Sequence, residues 1–215
     1  MNLTMTTRSR DEAGVVRTIL GIASLAVFFI AMLAVIVLLT FSVKVYGGSM
    51  EPTLHDGDRM LTNVFGRGSV DRFDLVQASA GENGIEVVKR VIGLPGDAVM
   101  IRPGTVEQPP VVLVRPDAGR ETYRVDNSAW TGRYGSRLNG CCDPKGNSVT
   151  GRGRWLTLGE DSYWLLGDNW GESDDSRVWG TITSDEISST LNFRLMPLGD
   201  LGPVDHDVEL VPLTR

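Results

Sequence analysis

A long, uninterrupted apolar run lies near the start of the chain. Residues 18–43 are 26 positions without a charged side chain, rich in Ile, Leu, Val, Ala and Phe. About 20 apolar helical residues cross a bilayer core, whereas a cleavable signal peptide has an apolar stretch of only about 7 to 15 residues before a small-residue cleavage site. A soluble domain of this size rarely needs so long a buried helix. The pattern therefore predicts a permanent transmembrane anchor over 18–43.

After this run the pattern changes to short apolar segments with period-two alternation, separated by Gly, Pro and Asp. Such segments occupy residues 59–64, 74–77, 85–88 and 98–101. Alternation over four to eight residues between turn residues is typical of β-strands. We therefore predict a mainly β fold, with an antiparallel β-sheet core preceded by one N-terminal transmembrane helix.

Composition divides this β region further. Residues 103–158 are looser and richer in Gly, Pro and Arg, which predicts an insertion or small second subdomain of β and irregular structure. The main core then comprises residues 44–102 and 159–199. Residues 200–215 are expected to form an irregular C-terminal tail.

Charge indicates the location of the chain and excludes one class of partner. The 215 residues have a formal net charge of −6, and no block of Lys and Arg forms a surface for DNA or RNA. Arg8, Arg10 and Arg17 precede the apolar run, whereas only Lys44 lies close after it. Because flanking cations stay in the cytoplasm, residues 1–17 should be cytoplasmic. We predict a single-pass protein of the plasma membrane whose remaining domain is extracytoplasmic.

Two segments carry candidate catalytic residues. In residues 46–54 (YGGSMEPTL), Ser49 follows two glycines, which allow turn geometries that a Cβ forbids. In residues 86–97 (EVVKRVIGLPGD), Lys89 stands in an apolar run, and burial would lower its pKa and make it a general base. Arg could not act in this way, and the chain has 18 Arg but only three Lys. Taken alone, a plain loop and an edge-strand Lys are the commoner readings of these segments.

A third segment, residues 166–180 (LGDNWGESDDSRVWG), is a polar loop between aromatic and aliphatic residues. Together, and in this order after an apolar helix, the three segments resemble the bacterial type I signal peptidases. Residues 49–54 resemble the family's Ser-Met-x-Pro-Thr-Leu box, residues 89–97 match its lysine box, and residues 167–177 resemble its last box.

The resemblance implies a membrane-bound serine endopeptidase that removes signal peptides from exported preproteins, cleaving after Ala-x-Ala-like sites at the outer face of the membrane. Ser49 would be the nucleophile and Lys89 the general base, with Ser173 orienting the Lys89 amine. Asp175 and Arg177 would form a salt bridge that holds the last loop. The remaining implied positions are loop-building Asp168 and Asn169, and the substrate pocket or oxyanion region at Gly47, Gly48 and Met50.

The chain departs from the family pattern at two positions. Trp170 stands where the family often has Arg, and we expect little effect on the chemistry. Gly47 stands where one branch of the family has a Ser whose hydroxyl helps to form the oxyanion hole. The Ser49 N–H would then be one oxyanion donor, with a second backbone N–H or a water as the other.

Other chemistries fit the residues poorly. His55 and His206 are the only histidines, and no cluster of Cys, His and carboxylates predicts a metal site. No Gly-rich phosphate loop is present, so we expect neither cofactor nor metal. The adjacent Cys141 and Cys142 are expected to be two thiols, or a labile vicinal disulfide, in a surface loop.

Two alternatives come from other classes of protein. A catalytically inactive, membrane-tethered β module that binds peptides is disfavoured by the intact Ser49 and Lys89. A self-cleaving Ser/Lys repressor would need DNA-binding helices where residues 18–43 lie.

Overall fold

The computed structural model describes residues 5–63, 69–102, 104, 110–130, 153–204 and 207–213. The chain consists of two compact units, with the boundary between Ser42 and Val43. The first unit consists mainly of helix α1, Met5–Thr40. Within α1, Gly14–Leu38 has a mean hydropathy of 2.8 and no residue buried in the protein, so it is long and apolar enough to cross a membrane.

The predicted anchor, residues 18–43, runs past the end of the helix. Helix α1 ends at Thr40, and Ser42–Lys44 form a strand. An uncharged stretch does not by itself separate helix from strand, and the β-branched Val43 suits either state.

The second unit is built mainly from strands. They are β1 (Ser42–Lys44), β2 (Arg59–Asn63), β3 (Leu75–Ala80), β4 (Ile85–Gly93), β5 (Ala98–Arg102), β6 (Val111–Arg115), β7 (Tyr123–Asn127), β8 (Leu156–Thr157), β9 (Ser162–Leu166), β10 (Ile182–Thr183), β11 (Ile187–Met196), β12 (Gly202–Pro203) and β13 (Val208–Pro212). A single helical turn, α2, spans Ser176–Trp179. The mainly β class predicted from alternation is confirmed.

The strands form two sheets. The first has the order β1-β2-β11-β3-β4-β9-β10, with β12 also paired to β11, and the second has the order β13-β7-β6-β5-β8. Strand β4 lies inside the first sheet, where Lys89 is opposite Val76 of β3 and Arg90 is opposite Leu166 of β9. Both neighbouring pairings are antiparallel. Lys89 and Arg90 therefore lie side by side on a strand that is paired along both edges.

Apolar side chains from both sheets meet in one buried cluster. It includes Val99 and Val114 of the second sheet, Trp164 and Leu166 of β9, and Trp170 beyond the end of β9. All five have at most 2% of their surface exposed. This cluster fixes the loop that follows β9 against the second sheet.

The segment boundaries predicted from composition differ from the sheet boundaries. The second sheet begins with β5 at Ala98, five residues before the predicted boundary at 103. Residues 200–215 are not an irregular tail, because β13 pairs with β7 from Val208↔Asn127 to Pro212↔Tyr123. Val208 and Leu210 alternate with polar Glu209 and pack on the core, a period-two signal too short to stand out in the sequence. His206, Cys141 and Cys142 lie outside the described residues.

Candidate active site

Ser49 lies in a turn-rich segment between β1 and β2. Asn169, which is distant in sequence, holds this turn by two hydrogen bonds. The Asn169 backbone N–H donates to the Ser49 carbonyl oxygen at 3.0 Å, and its side-chain amide donates to the Gly48 carbonyl oxygen at 3.0 Å. Gly47 has φ = 78°, and its N–H donates to Asp56 Oδ1 at 2.8 Å. Within the described ranges the Ser49 N–H has no hydrogen-bond partner, so it is free to donate to an oxyanion.

Lys89 lies on β4, and its amine reaches the Ser49 hydroxyl. Only 3% of the residue is exposed. The amine donates to Ser49 Oγ at 2.8 Å and to the Val88 carbonyl oxygen at 2.9 Å. After losing its proton, the amine could accept the Ser49 hydroxyl proton over the same distance. The two side chains are therefore already at proton-transfer distance.

The surroundings of Lys89 favour its neutral form. Burial lowers the pKa of Lys89 from 10.5 to about 8. The attraction of Asp175 and Asp174 acts in the opposite direction, while the repulsion of Arg177 lowers the pKa further. Loss of hydration is the largest of these effects, as expected for a cation enclosed by apolar strands. A substantial fraction of Lys89 is thus neutral at mildly alkaline pH.

Asp175 is a fully buried carboxylate at the start of α2. It accepts from Arg177 Nε at 2.7 Å and Nη2 at 2.6 Å, which is the salt bridge expected from the sequence. It also accepts from the Gly167 N–H at 3.0 Å and from the Ser173 hydroxyl at 2.8 Å. Asp175 therefore ties both ends of the 167–177 loop together.

The hydrogen bond that the Ser173 hydroxyl donates differs from the one that the resemblance implies. The hydrogen bonds of the Lys89 amine go to Ser49 and Val88, whereas the Ser173 hydroxyl donates to Asp175. A buried carboxylate is a strong acceptor for a hydroxyl proton. The hydrogen bond of Ser173 to Asp175 therefore links this residue to one of the carboxylates that act on Lys89.

A second buried ion pair lies beside the dyad. Arg90 Nε and Nη2 donate to Asp168 Oδ1 and Oδ2 at 2.9 and 2.6 Å, and neither side chain is more than 1% exposed. Asp168 also accepts from the Thr53 hydroxyl and from the Asn127 side-chain amide. The pair links β4 to the 167–177 loop, to the segment after Ser49 and to the second sheet.

Gly167 lies where these elements meet and leaves no room for a side chain. A Cβ at this position would overlap the Ser173 side chain and lie 2.6 Å from the Ser49 carbonyl oxygen. Glycine is therefore required here by close approach of the loop to the Ser49 turn.

A groove of about 230 Å³ is lined in part by Ser49. Its lining residues come from the segment around β1 and from β3 and β4: Val43, Lys44, Val45, Tyr46, Ser49, Met50, Gln77, Glu86, Val87, Val88 and Lys89. Another cleft, of about 830 Å³, lies on the second sheet and contains none of the candidate residues. In the part of the chain that the structure describes, no three His, Cys, Asp or Glu side chains are grouped to hold a metal ion.

Comparison with known proteins decides the family. The model of the family described as signal peptidase, peptidase S26, matches residues 17–196. The chain is 31% identical over 181 residues to signal peptidase IB of Staphylococcus aureus, covering 83% of this chain and 90% of that protein. The chain belongs to the signal peptidase family. As a member of this family it is a serine peptidase.

Two further proteins are similar to this chain. Signal peptidase I of Bacillus licheniformis is 30% identical over 164 residues, covering 75% of this chain and 79% of that protein. The crystal structure of a signal peptidase I from Enterococcus faecalis is 24% identical, covers 57% of this chain and 97% of that chain, and superposes with a TM-score of 0.38.

The structure of this family member brings Ser49, Lys89 and Asn169 together through hydrogen bonds. Asp175 forms a second group with Gly167, Ser173 and Arg177. Three contributors were missed from the sequence: Arg90, Asn127 and Gly167. Arg90 carried a usable signal, because a charged residue in a largely apolar strand needs a buried partner. Gly167 carried only its place in the last box and Asn127 carried no signal, since the importance of both depends on contacts distant in sequence.

Proposed function

We propose that the chain removes signal peptides from exported preproteins by means of a Ser49/Lys89 dyad. The observation that supports this most directly is the 2.8 Å distance between Lys89 Nζ and Ser49 Oγ. The burial that lowers the pKa of Lys89 to about 8 supports the role of general base. Membership of the signal peptidase family supports the substrate class.

The geometry suggests the following steps. Ser49 Oγ attacks the scissile carbonyl carbon while its proton passes to neutral Lys89, and the carbonyl oxygen becomes an oxyanion near the free Ser49 N–H. The C–N bond then breaks, and Lys89 returns the proton to the leaving amine. Water next attacks the Ser49 ester and gives a proton to Lys89. The ester C–O bond breaks, Ser49 Oγ regains this proton, and the acid product leaves.

The groove suggests how the substrate binds. An extended peptide would lie between the chain at residues 45–48 and strand β4 at residues 85–88, adding main-chain hydrogen bonds as a strand does. Met50 is 1% exposed and contributes to the lining beside Ser49. A groove of about 230 Å³ would suit small side chains, in keeping with cleavage after Ala-x-Ala-like sites.

A cleavage assay tests the dyad. Full-length protein in detergent should cleave an Ala-x-Ala preprotein, and Ser49→Ala and Lys89→Ala should each abolish cleavage without unfolding the domain. Arg124→Ala is a matched control, because its ion pair with Asp126 is exposed on the second sheet, and it should remain fully active. Cleavage by either dyad variant would overturn the assignment.

A separate experiment tests the membrane topology. We propose that α1 anchors the chain in the plasma membrane with residues 44–215 outside, in agreement with the cations before the apolar run. Protease added to spheroplasts should digest this region. Protection until lysis would show the opposite orientation.

A further inference from the structure

Trp170 is a buried residue of the 167–177 loop. Only 2% of it is exposed. Its ring lies against the guanidinium of Arg177, with 4.2 Å between Cζ and the ring centroid. The Trp130 and Trp170 rings pack edge to face, with 5.2 Å between their centroids and an interplanar angle of 73°. The indole thus fills the space between Arg177 and the second sheet.

The guanidinium that Trp170 covers makes four hydrogen bonds within the loop. Arg177 Nη1 donates to the Trp170 carbonyl oxygen at 3.1 Å, and Nη2 donates to the Ser173 carbonyl oxygen at 3.3 Å. The remaining bonds, from Nε and Nη2, go to Asp175. Because the guanidinium is planar and covered by an aromatic ring, its alignment with Asp175 depends on the position of that ring.

The second sheet supports the same loop from the end of β7. Trp130 Nε1 donates to the Gly167 carbonyl oxygen at 3.3 Å, and Asn127 Nδ2 donates to Asp168 Oδ1 at 3.0 Å. Together with the contact between the two indoles, these bonds reach three of the four residues from 167 to 170. The second sheet is therefore connected to the surroundings of the general base.

We propose that Trp170, supported by Trp130, is a positioning residue for the general base: it holds Arg177 on Asp175 and keeps water away from the Lys89 amine. This inference rests on the proposed dyad. It differs from the sequence-based expectation that Trp170 has little effect on the chemistry. The indole takes no part in the reaction itself, but it sets the surroundings of the general base.

Removal of the indole should act on Lys89 in one direction. Four charged groups act on the Lys89 amine: Asp175, Asp174, Asp168 and Arg177. Water entering beside Arg177 would rehydrate the amine, screen the repulsion from Arg177 and leave Asp175 less neutralised. The same water would also screen the attraction of Asp175 and Asp174, but loss of hydration is the largest effect on Lys89, so rehydration favours the ammonium form. The expected result is a higher pKa of Lys89 and a catalytic rate that rises only at higher pH.

The experiment compares Trp170→Ala and Trp170→Phe with the wild type in the full-length protein. The readouts are the pH profile of kcat/KM and a direct NMR titration of Lys89 after labelling lysine with ¹³C at Cε. The chain has only three lysines, and the Lys89 signal is assigned by its loss in Lys89→Arg. Trp155→Ala is the control, because Trp155 stacks on Arg115 at 4.0 Å in the same manner but lines the cleft on the second sheet.

We expect the midpoint of both curves to move up by about 0.5 pH unit or more in Trp170→Ala, a change that burial differences readily produce. Trp170→Phe should keep most of the wild-type midpoint, since it retains an aromatic face, and Trp155→Ala should keep all of it. If Trp170→Ala does not fold, Trp170→Leu takes its place in the test. Leucine keeps apolar bulk without the aromatic face, and the midpoints of both pH curves should also rise in this variant.

An unchanged midpoint in a folded Trp170 variant, with activity lower by the same factor at every pH, would overturn the inference. Failure of the proposed dyad gives a different result, because Ser49→Ala would then still cleave. The NMR titration reports on the Lys89 amine without catalysis, so it tests the inference in either case.

Discussion

The side chains of Arg90 and Asp168 form a two-point ion pair, at 2.9 and 2.6 Å, and neither side chain is more than 1% exposed. The residue before Arg90 is the proposed general base, and the residue after Asp168 holds the Ser49 turn. The ion pair therefore fixes the spacing between the two halves of the catalytic centre.

Breaking this pair should cost far more than breaking an exposed one. Arg90→Met leaves Asp168 buried without its cation, and we expect a loss of about 3–5 kcal/mol in the free energy of unfolding. Arg124→Met, whose partner Asp126 is about half exposed, should cost at most about 1 kcal/mol. Chemical denaturation in detergent measures both. Equal losses in the two variants would contradict the role given to Arg90.

The cleavage rate should depend on pH through Lys89. Because the base must be neutral and its pKa is lowered to about 8, kcat/KM should rise with pH through this value and level off above it. At pH 7 the rate should be roughly one tenth of the plateau, since about that fraction of Lys89 is neutral. Lys89→Arg should be as inactive as Lys89→Ala. A rate that is flat between pH 6 and 9, with chemistry rate-limiting, would exclude Lys89 as the base.

Gly167 should not tolerate even one added methyl group. Gly167→Ala places Cβ against Ser173 and 2.6 Å from the Ser49 carbonyl oxygen, so the loop or the nucleophile must move. Displacement of a reacting group by about 1 Å costs roughly 100-fold in rate, and we expect at least this loss in kcat. Gly199→Ala is the control, because a Cβ there meets nothing within 4 Å. Wild-type kcat in Gly167→Ala would show that the loop is not held against Ser49.

Gly47→Ser should not improve the enzyme. A Cβ at Gly47 has open space, but φ = 78° is a conformation that L side chains rarely adopt. The N–H of Gly47 is also bound to Asp56, so a strained turn would disturb an existing contact. We expect kcat to stay the same or fall. A rise of about tenfold at unchanged KM would mean that the wild-type oxyanion hole lacks a donor that the new hydroxyl supplies.

Local patterns in the sequence were sufficient for the parts of the structure that depend on local physics. The alternation of apolar and polar residues predicted the β class. The apolar neighbours of Lys89 predicted its burial, and only 3% of this residue is exposed. Asp175 and Arg177, two residues apart, form the ion pair expected from the motif. In each case the determining residues are close neighbours in sequence or share one strand face.

The contacts that escaped prediction depend either on the pairing of distant strands or on how the 167–177 loop folds. Asn127 reaches Asp168 across 41 residues of sequence, and β13 pairs with β7 only because the second sheet leaves that edge open. The Ser173 hydroxyl has a choice between an amine and a buried carboxylate, and only the fold shows which one lies in reach. No property of Trp170 alone indicates that it covers Arg177.

The hold of Asn169 on the Gly48 and Ser49 carbonyl groups has a consequence for biosynthesis. Asn169 and Gly48 are 121 residues apart, so a ribosome releases the proposed nucleophile Ser49 and the proposed base Lys89 long before the residue that clamps the turn. A nascent chain that has passed Lys89 but not Asn169 would carry both reactive groups without the means to align them. Proteolytic competence should therefore emerge late in synthesis, which would spare neighbouring chains at the export site from cleavage by an unfinished enzyme.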